Sequence, residues 1–244
     1  LGQPQPKKHA HLYWEFSETD QIGVRMGDWK MQDTMIVDGL WDVYNQYHMG
    51  VTAENVAKKY EISRAEQDEF ALQSQLKAET AQKEGKFKDE IVPIEIETPE
   101  GKDVHTSDEG IRYDASAEGM AGVKKLSEEG VLTAASSSQI CDGASAVLIV
   151  SEEALKKYNL KPLAKIVNLT VTAGDPVIML EEPLFATDKA LKKAGLSIDD
   201  IDLYEVNEAF ASVPVAWLEH TKADPNKLNV NGGAIALGHP LGAS

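Results

Sequence analysis

Apolar residues recur at helical spacing over several stretches of the chain. Met31, Met35, Ile36 and Leu40 predict a helix over roughly 31–45, after a loop at 22–28 and before a break at Tyr47-His48-Met49-Gly50. A second helix is expected with Thr52 as its N-cap, carrying Val56, Ala57 and Tyr60. Ser63-Arg-Ala-Glu66 has the form of a capping box, so a third helix begins there. It runs through Phe70, Leu72 and Leu76 to Gly85, with Glu79 and Lys83 paired on its wet side. Residues 91–97 alternate like a half-buried strand, which Pro93 places at a sheet edge, and 99–115 reads as polar loop. His105 and its acidic neighbours in that loop read as solvated surface. Pro4, Pro6 and Lys7-Lys8 make residues 1–20 an irregular lead-in.

Further on, the small-residue run from Leu132 to Gly143 opens onto an apolar strand, Ala146 to Ser151. From about residue 161 the rhythm becomes strand, helix, strand, helix: 164–171, 184–195 closed by Gly195, 201–206 and 208–222. That alternation predicts an α/β fold whose sheet is covered by helices. Asn207 then stands between a strand end and a helix start, where open α/β sheets place ligands. The same position also suits a simple N-cap.

The last sixteen residues differ in character. Asn231-Gly232-Gly233 is a turn in which glycine can take positive φ, and Gly238-His239-Pro240 follows a short apolar run. Pro240 suits the first position of a helix, which would make His239 its N-cap and project the imidazole beyond the helix end. The partial positive charge at such an end disfavours an imidazolium, and a neutral imidazole can act as a general base. The plainer reading is a histidine that only caps a helix. Gly233 to Gly238 has P-loop spacing, but His-Pro replaces the required Lys-Ser/Thr, and the chain has no dinucleotide-binding G-x-G-x-x-G after a strand.

Composition narrows the function classes. A net charge of −16 argues against nucleic acid or anionic membrane as a partner. No apolar run approaches the roughly 20 residues of a membrane span. The chain opens on Leu1 rather than Met, which leaves room for a removed leader. A single cysteine, Cys141, excludes an internal disulfide framework and cysteine-based zinc sites, and no metal site is expected. The expectation is a cytoplasmic protein, or one of an organellar matrix in a eukaryote.

The C-terminal stretch ending Gly-His-Pro-Leu-Gly-Ala-Ser resembles the thiolase motif Gly-His-Pro-x-Gly-Ala-Ser, and Asn207-Glu-Ala-Phe-Ala211 resembles a second thiolase motif. His48 to Asn55 is similar to that family's His-Met-Gly-x-Thr-Ala-Glu-Asn segment, and Leu132 to Gly143 to its Thr-Ala-x-x-x-Ser-x-x-x-Asp-Gly segment. The resemblance covers residues 21–244. It implies the thiolase fold, two similar halves stacked in αβαβα layers, with the first half largely absent here. It implies a loop domain of the N-terminal half over 1–138, the final strand region of that half over 139–160, and an incomplete C-terminal half over 161–244.

The resemblance also implies chemistry. His239 becomes the histidine that activates a cysteine nucleophile, and Asn207 orders a water that forms an oxyanion hole with it. His48 and Met49 belong to the part that covers the pantetheine arm of coenzyme A, with the His-Met form pointing to short-chain acetoacetyl-CoA substrates. Ser138 contacts the same arm, while Cys141 falls in a variable slot and reads as a small buried residue. The implied activity is thiolysis of 3-ketoacyl-CoA or condensation of acetyl-CoA to acetoacetyl-CoA. Coenzyme A thioesters are substrates, no cofactor is held permanently, and the complete protein is a homodimer or homotetramer. The two cysteines thiolases use lie upstream and downstream of the matched region, so the chain is expected to be an internal piece that is inactive alone. Glu181-Glu182-Pro183 departs from the family's small Gly-Pro stretch. The alternative class is a non-catalytic thiolase-fold protein that binds acyl-CoA or lipid.

Overall fold

Antiparallel pairing organises the start of the chain. The computed structural model describes residues 35–243 in full and, as backbone only, 14–16, 22–26 and 29–32. Strands β1 (Trp14–Phe16), β2 (Ile22–Met26) and β3 (Trp29–Gln32) form a sheet in that order, with Trp14 opposite Val24 and Met26 opposite Trp29. A wide π-type turn, Met35–Gly39, leads to a short hairpin of β4 (Trp41–Asp42) and β5 (Tyr47–His48). Among the described residues, the helix predicted over 31–45 is therefore replaced by strand and turns, and the loop predicted at 22–28 is strand over Ile22–Met26.

Asp42 supplies one physical reason for the missing helix. Its carboxylate accepts from the Tyr44 amide at 2.8 Å and from Asn45 Nδ2 at 2.9 Å, building a turn that competes with helix. Gln46 completes the turn with a φ of 60°. The chain divides into two compact units, Leu1–Val51 and Thr52–Ser244, with the helix α1 (Met49–Lys59) running across the division. That helix begins three residues before Thr52, because His48 Nδ1 accepts the Gly50 amide at 3.0 Å and thus serves its first turn. Thr52 is instead buried inside the helix.

Helix α2 (Arg64–Lys83) starts on the predicted capping box: Ser63 Oγ accepts from the Glu66 amide, and Glu66 accepts from the Ser63 amide at 2.7 Å. Its end is also as expected, with Gly85 at a φ of 71° and Glu79 bonded to Lys83. The buried stripe is a surprise. It consists of Gln67, Ala71, Ser74, Gln75, Ala78 and Ala81, while Leu76 is exposed. Small residues on that face let neighbouring backbone approach α2 closely, and this approach builds the site described below.

A hairpin of β6 (Ile94–Thr98) and β7 (Gly101–His105) follows, so part of the predicted loop is strand, and the hairpin is solvated rather than half-buried. Short helices α3 (Ala117–Gly122) and α4 (Glu152–Lys157) each start on a serine N-cap, Ser116 and Ser151. Helix α5 (Glu182–Ala194) closes on Gly195 at a φ of 70°, as predicted. Helix α6 (Ser212–Thr221) and the single turn α7 (Ala234–Leu237) complete the second unit. Its main core joins Val56 and Ala57 of α1 to Leu184 of α5 and to Tyr204, Val206 and Trp217.

The strands predicted at 146–151 and 164–171 do not form ladders among the described residues. Val147 is 88% exposed and Val171 84%, although both segments carry strand sequences. A strand needs a hydrogen-bonded neighbouring strand, and neither segment finds one among the described residues; 164–171 is met instead by the Lys189 and Lys193 side chains, which donate to Val171 O and Leu169 O. The acidic departure at Glu181 has a structural answer. Glu181 is buried at the end of a 3-10 turn, Pro176–Glu181, where it accepts from Lys59 Nζ at 2.6 Å and Tyr60 Oη at 2.9 Å. The carboxylate thereby fastens the end of α1 to the start of α5.

Candidate functional site

Extended backbone with alternating burial leads to Asn207. Tyr204, Val206 and Glu208 point inward, whereas Glu205 and Asn207 are exposed. The Tyr204 amide donates to Lys227 O at 2.9 Å and the Asn229 amide to Tyr204 O at 3.0 Å, a parallel bridge between Tyr204 and Leu228. The Asn229 side chain then takes the place of the next strand residue. Its Oδ1 accepts from the Val206 amide at 2.9 Å and its Nδ2 donates to Val206 O at 2.8 Å.

Residues 208–211 are not helical, contrary to the sequence pattern, and α6 begins only at Ser212. Tertiary hydrogen bonds hold them outside the helix: the Ser138 amide donates to Ala209 O at 3.0 Å, and the Ala211 amide to Ser136 O at 2.9 Å, with the backbone turning to helical φ/ψ at Ala211, the N-cap. Ser138 is thus placed beside the segment that carries Asn207. On its other side the same loop reaches His239, whose amide donates to Gln139 O at 3.0 Å.

The turn leading to His239 depends on close packing. Gly232 has a φ of 82°, and a Cβ there would come within 2.6 Å of Ala78 Cβ and 2.8 Å of Ser74 O on α2. Helix α7 follows, and its Ile235 carbonyl accepts from Gln75 Nε2 at 3.2 Å and Gln139 Nε2 at 3.0 Å. Gly238, at a φ of 96°, lies against Cys141, whose Sγ would be 2.3 Å from an added Cβ. His239 therefore follows a helical turn. After it the described residues show one turn, closed by the Ala243 amide on Pro240 O at 2.8 Å. Ser244 lies outside the described residues.

These supports bring Asn207 Nδ2 to 3.3 Å from His239 Nε2 across 32 residues of sequence. With Nε2 unprotonated, the carboxamide donates to it. An Nε2 in that state has the lone pair needed to take a proton from a nucleophile. Cys141 is half-buried next to the His239 backbone, and burial pushes its thiol pKa up, away from the thiolate a nucleophile requires. His48 and Met49 belong to the first unit, where His48 serves the start of α1 and Met49 is buried.

Three supporting residues escaped the sequence reading: Gln139, Asn229 and Glu208. Glu208 did leave a signal. In an extended segment it shares the inward parity of Tyr204 and Val206, so a carboxylate was bound to be buried there. Its burial raises the carboxyl pKa, opposed by hydrogen bonds from Ser74, Asn229 and the Ile235 amide and by the charge of Lys77. The signal for Gln139 and Asn229 was absent, because their partners, backbone groups and for Asn229 also the Glu208 carboxylate, are distant in sequence.

Comparison with known proteins agrees with the motifs. A family model described as "Thiolase, N-terminal domain" matches residues 10–153, and one described as "Thiolase, C-terminal domain" matches 160–244. An acetyl-CoA acetyltransferase of Paracoccus denitrificans is 54% identical over 223 residues, 91% of this chain and 57% of that protein. One from Allochromatium vinosum is 49% identical over 245 residues, 100% of this chain and 61% of that protein. The crystal structure of human mitochondrial 3-ketoacyl-CoA thiolase superposes with a TM-score of 0.85 at 46% identity, over 90% of this chain and 56% of that one. The chain thus spans less than two thirds of the length of these relatives.

Proposed function

The chain belongs to the thiolase family, and from that premise we propose that the complete protein transfers acyl groups between thiols. The substrates are short-chain coenzyme A thioesters, acetyl-CoA in condensation or acetoacetyl-CoA in thiolysis. The observation that carries this reading is the 3.3 Å approach of Asn207 Nδ2 to His239 Nε2 on the exposed end of an extended segment. Two motifs far apart in sequence meet there, and each supplies a group the chemistry needs.

In the proposed mechanism, unprotonated His239 Nε2 takes the proton of a cysteine thiol supplied by the complete protein. The thiolate attacks the thioester carbonyl, and the coenzyme A sulfur leaves with a proton to give an acyl-enzyme. Once protonated, Nε2 becomes a donor and releases the Asn207 carboxamide. Both groups can then serve one developing oxyanion, Asn207 through a held water. Cys141 is not the nucleophile in this scheme, because its thiol is half-buried and its pKa is raised. The 244-residue chain alone is accordingly proposed to be inactive. Ser138, His48 and Met49 are assigned to the pantetheine arm, and the complete protein to a homodimer or homotetramer in the cytoplasm or an organellar matrix.

The test is single-turnover acylation of the complete protein by acetyl-CoA. His239→Ala is expected to slow it about 10²-fold or more, and Asn207→Ala by less, since solvent can partly replace its water. Binding of acetyl-CoA without acyl transfer in the unmutated protein would instead support a non-catalytic acyl-CoA binder. Acylation that survives His239→Ala at the unmutated rate would remove His239 from the mechanism.

A further inference from the structure

Asn207 and His239 are both exposed to different degrees at the surface, yet both are tethered to one buried carboxylate. Glu208, the residue after Asn207, is fully buried. It accepts three hydrogen bonds from three places in the chain: Ser74 Oγ of α2 at 2.6 Å, Asn229 Nδ2 at 2.8 Å and the Ile235 amide of α7 at 3.1 Å. Ser74 Oγ in turn accepts from the Gly233 amide at 3.1 Å. There is no slack at this junction, since a Cβ on Gly233 would fall 2.3 Å from Glu208 Cδ. The single turn of α7 then carries the chain from Ile235 to Gly238, immediately before His239, with the Gly238 amide on Ala234 O at 2.9 Å.

We propose that Glu208 is a positioning residue for the Asn207–His239 pair, its carboxylate setting the distance between the segment that ends in Asn207 and the turn that presents His239. This rests on the reading of that pair given above. Glu208 touches neither reacting group. It acts by tying its own backbone, one residue from Asn207, to the amide end of α7. Gln75 and Gln139 hold the carbonyl side of the same turn, so loss of Glu208 would leave α7 attached but free to change its distance from Asn207. An acceptor-only carboxylate is required because all three partners are donors. An amide at this place would set its NH2 against a donor in either orientation, Asn229 Nδ2 in one and the Ile235 amide in the other, and Asn229 cannot turn over without losing both bonds to Val206.

The experiment reads the His239 ring directly in the full 244-residue chain, with histidine labelled by nitrogen-15. Spectra are compared for the unmutated chain, Asn207→Ala, Glu208→Gln and Leu184→Ala. Asn207→Ala defines the signal of an uncoupled His239, and Leu184→Ala loosens the main core, which Val206 shares, without removing a hydrogen bond of Glu208, as a control for stability. Glu208→Gln is expected to move the His239 Nε2 resonance most of the way to its Asn207→Ala position, while Leu184→Ala leaves it in place. A resonance unmoved by Glu208→Gln, or moved equally by Leu184→Ala, overturns the proposal. Should Glu208→Gln fail to fold, Ser74→Ala removes one of the three donors and decides instead. A partial shift there supports the proposal and an unmoved resonance overturns it. If Asn207→Ala itself leaves His239 unchanged, the pair is not coupled and both readings fall. Because no turnover is measured, failure of the catalytic reading alone would leave this result standing.

Discussion

The side chain of Asn229 satisfies both backbone polar groups of Val206, accepting from its amide at 2.9 Å and donating to its carbonyl at 2.8 Å. The residue also carries a φ of 44°, so its own backbone turns away while its carboxamide continues the ladder. Asparagine tolerates that left-handed conformation better than most residues. One side chain therefore ends a strand pairing without leaving the strand's last residue unpaired.

Replacing it should be costly. Asn229→Leu leaves the Val206 amide and carbonyl and one Glu208 oxygen without partners, and at roughly 1–3 kcal/mol for each buried orphan the loss should be about 4 kcal/mol. Val230→Thr, at a neighbouring partly exposed position, should change stability by less than about 0.5 kcal/mol. Urea unfolding of the two variants gives the comparison. A loss below about 1 kcal/mol for Asn229→Leu would mean that the turn rearranges to pair Val206 in another way.

Two glycines should respond in opposite ways to alanine. At Gly232 the φ of 82° and the contact with backbone atoms of α2 both oppose a Cβ, so Gly232→Ala should cost more than about 2 kcal/mol. Ala78→Gly should not rescue it, because Ser74 O and the Ala78 amide remain in the way. Gly122, in α3, has nothing within 4 Å of an added Cβ, and Gly122→Ala should be neutral or stabilising by about 0.5 kcal/mol. Thermal unfolding of the three variants checks the contrast.

Tyr60 gives a pH signature. Burial and the Glu181 carboxylate push its phenol pKa from 10.0 up to about 12. Between those values the folded chain keeps a proton that the unfolded chain has lost. The stability tied to this group is therefore fully present below pH 10 and declines as pH rises towards about 12. In an absorbance titration of tyrosinate, one of the seven tyrosines should titrate late, and Tyr60→Phe should remove that component. Glu181→Gln should move it back towards 10.0. A late component unaffected by either change would assign it to another tyrosine.

In the complete protein, His48 and Cys141 should separate from His239. His48→Ala should mainly raise KM for the coenzyme A thioester, with kcat changed little, as expected for a residue that binds ground state and transition state alike. Cys141→Ala should leave acylation near the unmutated rate, since its half-buried thiol meets Gly238 and the backbone, not the ring, of His239. Steady-state kinetics on both variants provides the check. Acylation abolished by Cys141→Ala would make this thiol the nucleophile and reverse the assignment.

The sequence alone determined what depends on local chemistry. The Ser63–Glu66 capping box, the Gly85 and Gly195 helix ends and the positive φ of Gly232 are each written in residues a few positions apart. The family was legible for the same reason, because the Asn207 and His239 motifs are contiguous strings. Only the tertiary structure decided what depends on distant partners. Residues 208–211 read as the start of a helix, but hydrogen bonds from Ser138 and to Ser136 hold them outside it, and the helix starts at Ser212. Residues 146–151 and 164–171 read as strands, but a strand sequence cannot close a ladder without a neighbour. The buried stripe of α2 followed small side chains rather than the apolar Leu76, because Gly232 had to approach its backbone. The meeting of Asn207 with His239 belongs to this second class: its 3.3 Å spacing is set by residues such as Glu208, Asn229 and Gln139, whose partners no periodicity reveals.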